Sequence, residues 1–174
     1  MGADVSSFLG VDYGSRRVAI ACLVLDEKNP DAVVAQVWVR RYPASDDVYT
    51  VLGAAYDLMT AADTAMRPLV IAIESPIVGA NKNAQTAVKL SMMAGALCAA
   101  AGKGTSGILL VAPSTWKAEV VGRGNASKSD VVSWLRVRHP GLVDAASQDG
   151  KVDQDVVDAL CLALHAHRSV GGRG

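Results

Sequence analysis

Phe8-Leu9-Gly10-Val11-Asp12-Tyr13-Gly14 is a short apolar run that closes on an acid and then a turn at Tyr13, Gly14 and Ser15. Two more β-rich runs follow, at 18–25 and 33–39, with turn-like sequence at 26–31 between them. Alternating β-branched and apolar residues broken by such turns predict an antiparallel three-stranded meander, with Asp12 near the end of its first strand. That meander sets the frame for the rest of the chain.

Working outward, residues 46–66 have helical periodicity through Val48, Val51, Leu52, Ala55, Leu58 and Met59. Pro68 stops that helix, and 69–73 reads as a buried strand closing on Glu74. Residues 84–101 form a second helix that is small and Met-rich over much of its circumference, a pattern that fits cover on more than one side, as by a second subunit. Another short strand occupies 108–111, and Pro113 starts a short helix reaching Glu119. Ser127 is the expected N-cap of a helix over 128–138, which Pro140 terminates. Asp153 begins the last helix, which runs to His167. The expected architecture is α/β, with a five-stranded mixed sheet flanked by helices. Residues 1–168 read as one domain and 169–174 as a disordered tail.

A chain of 174 residues is long enough for one substantial core. Its longest apolar stretches are interrupted by acids and too short to span a bilayer, so no membrane association is expected. The first residues lack a basic region followed by an apolar core, which argues against a secretory leader and for a cytoplasmic location. Cys22, Cys98 and Cys161 are widely spaced within apolar sequence, as expected of unreactive thiols in a reducing compartment. His139, His165 and His167 have no zinc-ligand spacing and read as surface or helix-end residues. Net charge is zero, yet residues 76–140 hold eight Lys or Arg against two acids, so this block is +6 and the flanks together −6. A basic surface beside an acidic site suits a polyanionic substrate.

The acids carry the chemistry. Asp12 and Glu74 each close an apolar run, and Asp155 and Asp158 stand one helical turn apart at the head of an almost wholly apolar helix. An ionised carboxylate at the margin of a core is unfavourable unless a positive charge offsets it. Taken singly, Asp12 reads as a hairpin start, Glu74 as a helix cap, and the aspartate pair as favouring a helix N-terminus. Asp153 serves that last role better. Together the four acids point to a shared divalent metal, because two carboxylates at i and i+3 repel unless a cation lies between them. Mg²⁺ or Mn²⁺ suits such oxygen ligands, and two ions could activate a water and stabilise the leaving oxygen of a phosphodiester.

At this point the sequence resembles the RuvC family of Holliday-junction resolvases, which has an RNase H-like fold. The likeness lies in Leu9-Gly-Val-Asp-Tyr-Gly-Ser-Arg-Arg17, Ile73-Glu-Ser-Pro76, Ala80-Asn-Lys-Asn-Ala-Gln-Thr-Ala-Val-Lys-Leu90, Ala112-Pro-Ser-Thr-Trp-Lys-Ala-Glu-Val-Val-Gly-Arg-Gly124, Ala126-Ser-Lys128 and Asp155-Val-Val-Asp-Ala-Leu160. It covers nearly the whole chain, from Phe8 to His167. The resemblance implies that Asp12, Glu74, Asp155 and Asp158 are metal-binding catalytic carboxylates holding two Mg²⁺ ions, with Mn²⁺ as the alternative. It implies a homodimer paired through helix 84–101, presenting two sites to a four-way DNA junction and nicking it symmetrically in recombination and repair.

By the same resemblance Lys117 and Lys128 match DNA-contacting positions, and Arg123, Arg16, Arg17 and Lys82 are further candidates. Family members often carry an aromatic residue shortly after the catalytic Glu. Here that region is Pro76-Ile77-Val78, so Ile77 stands as the candidate wedge between bases, without an aromatic face to stack. Three rival readings remain. One is an RNase H-like nuclease of flaps or other branched nucleic acid, and another a non-catalytic junction-binding module. The third, an actin- or sugar-kinase-like ATPase, would need a second lobe that 174 residues do not accommodate.

Overall fold

The computed structural model describes residues 5–26, 29–76, 83–101 and 107–171. Strands β1 (Val5–Gly14), β2 (Arg17–Asp26) and β3 (Asn29–Arg41) form the antiparallel meander, longer in β3 than the sequence pattern implies. Helix α1 (Val48–Met66) leads into β4 (Val70–Glu74), and α2 (Ala84–Ala100) precedes β5 (Gly107–Val111). Strand β4 adds in parallel beside β1 and β5 in parallel beside β4, giving a five-stranded mixed sheet of order β3-β2-β1-β4-β5. Helices α3 (Pro113–Val121), α4 (Lys128–Arg138), α5 (Pro140–Ala145) and α6 (Gln154–Gly171) follow. A two-strand hairpin, β6 (Ser147–Gln148) and β7 (Lys151–Val152), sits just before α6.

Strand alternation divides the sheet into two faces of different character. Leu9, Val11, Ile20, Cys22, Ile71 and Ile73 point to one face and pack with Val51, Met59, Met93 and Leu97 of α1 and α2. The opposite face carries Ala19, Ala21 and Ala72, and against these small side chains lie Ala159, Leu162 and Ala163 of α6. Gly10 is the point of closest approach. A Cβ there would stand 1.9 Å from the Ala159 carbonyl oxygen and 2.3 Å from the Ala163 amide nitrogen. No side chain but hydrogen fits.

This contact sets the register of α6 on β1. Phe8 at one end meets His167 edge-on, with ring centroids 5.1 Å apart. Four strand residues span roughly 13 Å and nine helical residues span about the same. Stepping along β1 from Phe8 to Asp12 therefore corresponds to stepping back along α6 from His167 to Asp158, and the acid of the strand arrives beside the acid of the helix.

Local chemistry explains the helix ends. Asp47 caps α1 by accepting from the Tyr49 and Thr50 amides at 2.8 and 3.0 Å. Ser127 and Asp130 form a reciprocal capping box on α4. Asp153 caps α6, its carboxylate accepting from the amides of Asp155 at 3.1 Å and Val156 at 3.4 Å. Pro140 does end α4 but also opens α5, as proline at a first helical position can. Helix α6 continues past His167 through Gly171, so Ser169–Gly171 are helical rather than part of a disordered tail; 172–174 lie outside the described residues. His165 is buried, with Nδ1 2.9 Å from a Glu119 oxygen, and His167 is half-buried, which corrects their reading as surface residues. All three thiols are free, with Cys22 and Cys161 buried and Cys98 partly so. Among the described residues no helix is long and apolar enough to cross a membrane.

Candidate active site

Asp12 and Glu74 follow Val11 and Ile73, which are partners in the parallel β1–β4 register. The two acids thus stand side by side at the ends of adjacent strands, roughly 5 Å apart in backbone. They share the sheet face covered by α6, two residues along from Gly10 and Ala72. Asp155 and Asp158 come to the same end on the first turns of α6. Crossover topology brings chain positions more than 140 residues apart to one edge.

Electrostatics registers that convergence. Asp12 is pushed up from 3.8 to about 8, first by burial, then by the charges of Glu74, Asp158 and Asp155. Burial also raises the Asp158 carboxyl, and Asp155 adds to the rise. Against it act a hydrogen bond donated by Gln154 Nε2 to Asp158 Oδ1 at 3.0 Å and the positive charges of Lys117 and Lys128. Neighbouring Tyr13 is also driven upward by burial and by Glu74.

Supporting contacts, none of them visible in sequence spacing, orient these acids. Trp116 on α3 is fully buried and its indole N–H donates to Glu74 Oε2 at 3.1 Å. Arg17, on β2 opposite Gly14, sends its guanidinium to two acids at once. One amino group meets Asp153 Oδ2 and the other lies 2.7 Å from Asp155 Oδ2. Arg41, the cross-strand partner of Arg17, approaches Asp153 at 3.5 Å.

The cations named from sequence separate into groups. Arg17 is turned to Asp153 and Asp155, because the β1–β2 register places it over the start of α6. Arg16 is tied to the 43–46 loop, donating to the carbonyls of Pro43 and Asp46. Lys117 donates to the Ala126 carbonyl at 3.2 Å and lies 5.5 Å from the Trp116 ring centroid. Lys128 is exposed at the first turn of α4, and Arg123 pairs with Asp130 at 3.3 Å while staying largely exposed. Ile77 and Lys82 lie outside the described residues.

The donor set fits a hard divalent cation. All candidate ligands are carboxylate oxygens, and their mutual repulsion is the term a cation would remove. Among the described residues no three Asp, Glu, His or Cys side chains already form a closed ligand set, and one Asp155 oxygen is engaged by Arg17. Metal loading would have to draw the carboxylates inward.

A meander extended by two parallel strands, with helices on both faces and acids at the ends of β1 and β4 and the start of α6, defines an RNase H-like α/β domain. The family model described as "Crossover junction endodeoxyribonuclease RuvC" matches residues 8–167, and the chain belongs to the RuvC family. A Chlamydia trachomatis serovar L2 protein named crossover junction endodeoxyribonuclease RuvC is 38% identical over 104 residues, 58% of this chain and 56% of its own length. The chain therefore spans only about half the length of the chlamydial relatives it matches. A Mycolicibacterium smegmatis protein of the same name is 32% identical over 157 residues, covering 90% of this chain and 80% of that protein. In fold, the chain is similar to Thermus thermophilus RuvC, with a TM-score of 0.70 at 20% identity over 95% of this chain and 96% of that one. The structure of T. thermophilus RuvC in complex with Holliday junction substrate gives a TM-score of 0.74 at 17% identity, with the same coverage.

Proposed function

We propose that this protein is a divalent-metal-dependent endonuclease that resolves four-way DNA junctions by paired symmetric nicks, and that Asp12, Glu74, Asp155 and Asp158 are its catalytic carboxylates. Divalent-metal dependence is a property of the RuvC family, to which the chain belongs. The observation that carries the reading is the convergence of the four acids at one end of β1, β4 and α6, where burial and the other three charges push Asp12 up to about 8. A site that penalises its own negative charge this strongly is suited to cations.

Asp12, Glu74, Asp155 and Asp158 would hold Mg²⁺, in our reading two ions, with Mn²⁺ able to substitute. Bound there, the ions would supply activation of a water and neutralisation of charge developing on the phosphodiester. Trp116 fixes the Glu74 carboxylate through its indole N–H, and Gln154 fixes Asp158. Lys117 and Lys128, whose charges reach Asp158, are in our reading the side chains that contact backbone phosphates beside the scissile group. Arg123, which stays largely exposed while paired with Asp130, would add a further phosphate contact. The products would be a 5′-phosphate and a 3′-hydroxyl.

Symmetric cutting requires two sites, and α2 offers a pairing face. Its buried side, Ala87, Leu90, Met93, Ala94, Leu97 and Ala100, packs inward. Its outer side leaves Val88 57% and Met92 37% exposed, and Gly95 opens onto empty space. Apolar and small residues on one helix face allow two copies to approach closely about a two-fold axis.

The test incubates purified protein with a mobile four-way junction, with and without Mg²⁺, beside flap and linear duplex controls. Paired nicks on the junction alone, lost in Asp12→Asn and Asp158→Asn while junction binding remains, are expected. Full activity in either variant refutes the carboxylate assignment. Preference for flaps would move the substrate assignment to another branched nucleic acid.

A further inference from the structure

Arg17 sits directly on a proposed metal ligand. Its guanidinium bridges Asp153, the cap of α6, and Asp155, whose Oδ2 lies 2.7 Å away. Both side chains are largely withdrawn from water, with Arg17 21% and Asp155 32% exposed. The arrangement does more than staple β2 to α6. It also sets a permanent positive charge against Asp155 and engages one of the two oxygens that carboxylate has to offer.

We infer that Arg17 is a positioning residue that acts as a built-in counter-cation: it holds Asp155 in place before a divalent ion arrives and lowers the affinity of the site for that ion. The inference rests on the proposed metal-binding role of Asp12, Glu74, Asp155 and Asp158. Two effects oppose each other when Arg17 is removed. Asp155 loses a contact that orients it, which loosens cation binding modestly. The site also loses a positive charge that lies 2.7 Å from an Asp155 oxygen, which tightens binding. At the effective dielectric of a partly exposed pair the Coulomb term is the larger, so we expect net tightening of roughly tenfold. The signature is a pair of opposite signs: lower stability without metal and higher affinity for it. An ordinary structural ion pair gives lower stability with equal or weaker affinity.

The experiment titrates Mn²⁺ into the metal-free protein by calorimetry, without DNA, for wild type, Arg17→Met and Arg17→Lys. Thermal unfolding in chelator is measured alongside. Met keeps the apolar stem and removes the charge; Lys keeps the charge. Arg17→Gln, which retains an N–H donor for Asp153, serves as the second charge-free variant should Met prevent folding. The expected result is roughly tenfold tighter Mn²⁺ binding in the charge-free variant and near-wild-type affinity in Arg17→Lys. Equal or weaker binding in the charge-free variant overturns the inference about Arg17 alone. Absence of Mn²⁺ binding in wild type overturns it together with the proposed metal site.

Discussion

Replacing Asp12 by Asn should make the metal-free protein more stable, and by an amount that depends on pH in a defined direction. The folded protein holds the Asp12 proton up to about pH 8, whereas the unfolded chain releases it near 3.8. Below pH 4 both states are protonated and Asp12 contributes nothing. Between 3.8 and about 8 the unfolded state ionises while the folded state does not, so stability falls with rising pH. Above pH 8 both are ionised and the penalty is constant. At about 1.36 kcal/mol per pH unit, the ceiling at pH 7 is about 4 kcal/mol. Asp12 keeps partial contact with solvent, and this screening together with small movements of the neighbouring acids reduces the penalty to about 2 kcal/mol. For a domain of this size that corresponds to an unfolding midpoint roughly 4–8 °C higher. The assay is urea unfolding of wild type and Asp12→Asn in chelator at several pH values. Saturating Mg²⁺ should stabilise wild type and leave the variant unmoved. A variant less stable than wild type at pH 7, or a difference that does not grow between pH 4 and pH 8, would refute the electrostatic reasoning.

Gly10→Ala should destabilise the fold by about 3 kcal/mol or more, since the new methyl would meet backbone of α6 rather than a side chain that can turn aside; urea denaturation measures it. Met92→Glu should yield a folded monomer, read by sedimentation, if α2 is the pairing face; a stable dimer in that variant would move the interface elsewhere. Lys117→Ala should weaken junction binding and reduce the slope of log affinity against log salt by about 1. An unchanged slope would mean that Lys117 serves Ala126 and Trp116 and touches no phosphate.

Much of this arrangement could be read from local sequence because local physics dictates it. The meander, β4 and β5 are apolar runs bounded by turn residues, and the caps at Ser127 and Asp153 use the side chains that satisfy open amides. The acids stood out because each interrupts the margin of an apolar element. Two further local features carry their own sequence signal. Pro140 both ends one helix and begins another, and Asp149-Gly150, with positive φ at both residues, is the strong two-residue hairpin turn joining β6 to β7.

What spacing could not supply was contact across the fold. Arg17 and Asp153 lie 136 positions apart, and Trp116 and Glu74 lie 42 apart. The inward turn of Arg17 follows from the β1–β2 register and from the seating of α6 at Gly10. Nothing local in a run of two arginines signals that one of them meets two acids at the head of α6.

The claim on which the rest depends is that four separate acids take up cations in common. Anomalous scattering from crystals of the protein equilibrated with Mn²⁺ tests it most directly. The account predicts Mn²⁺ peaks bounded by Asp12, Glu74, Asp155 and Asp158, absent from Asp12→Asn crystals. Peaks confined to other surfaces, with these four carboxylates left unliganded, would contradict it.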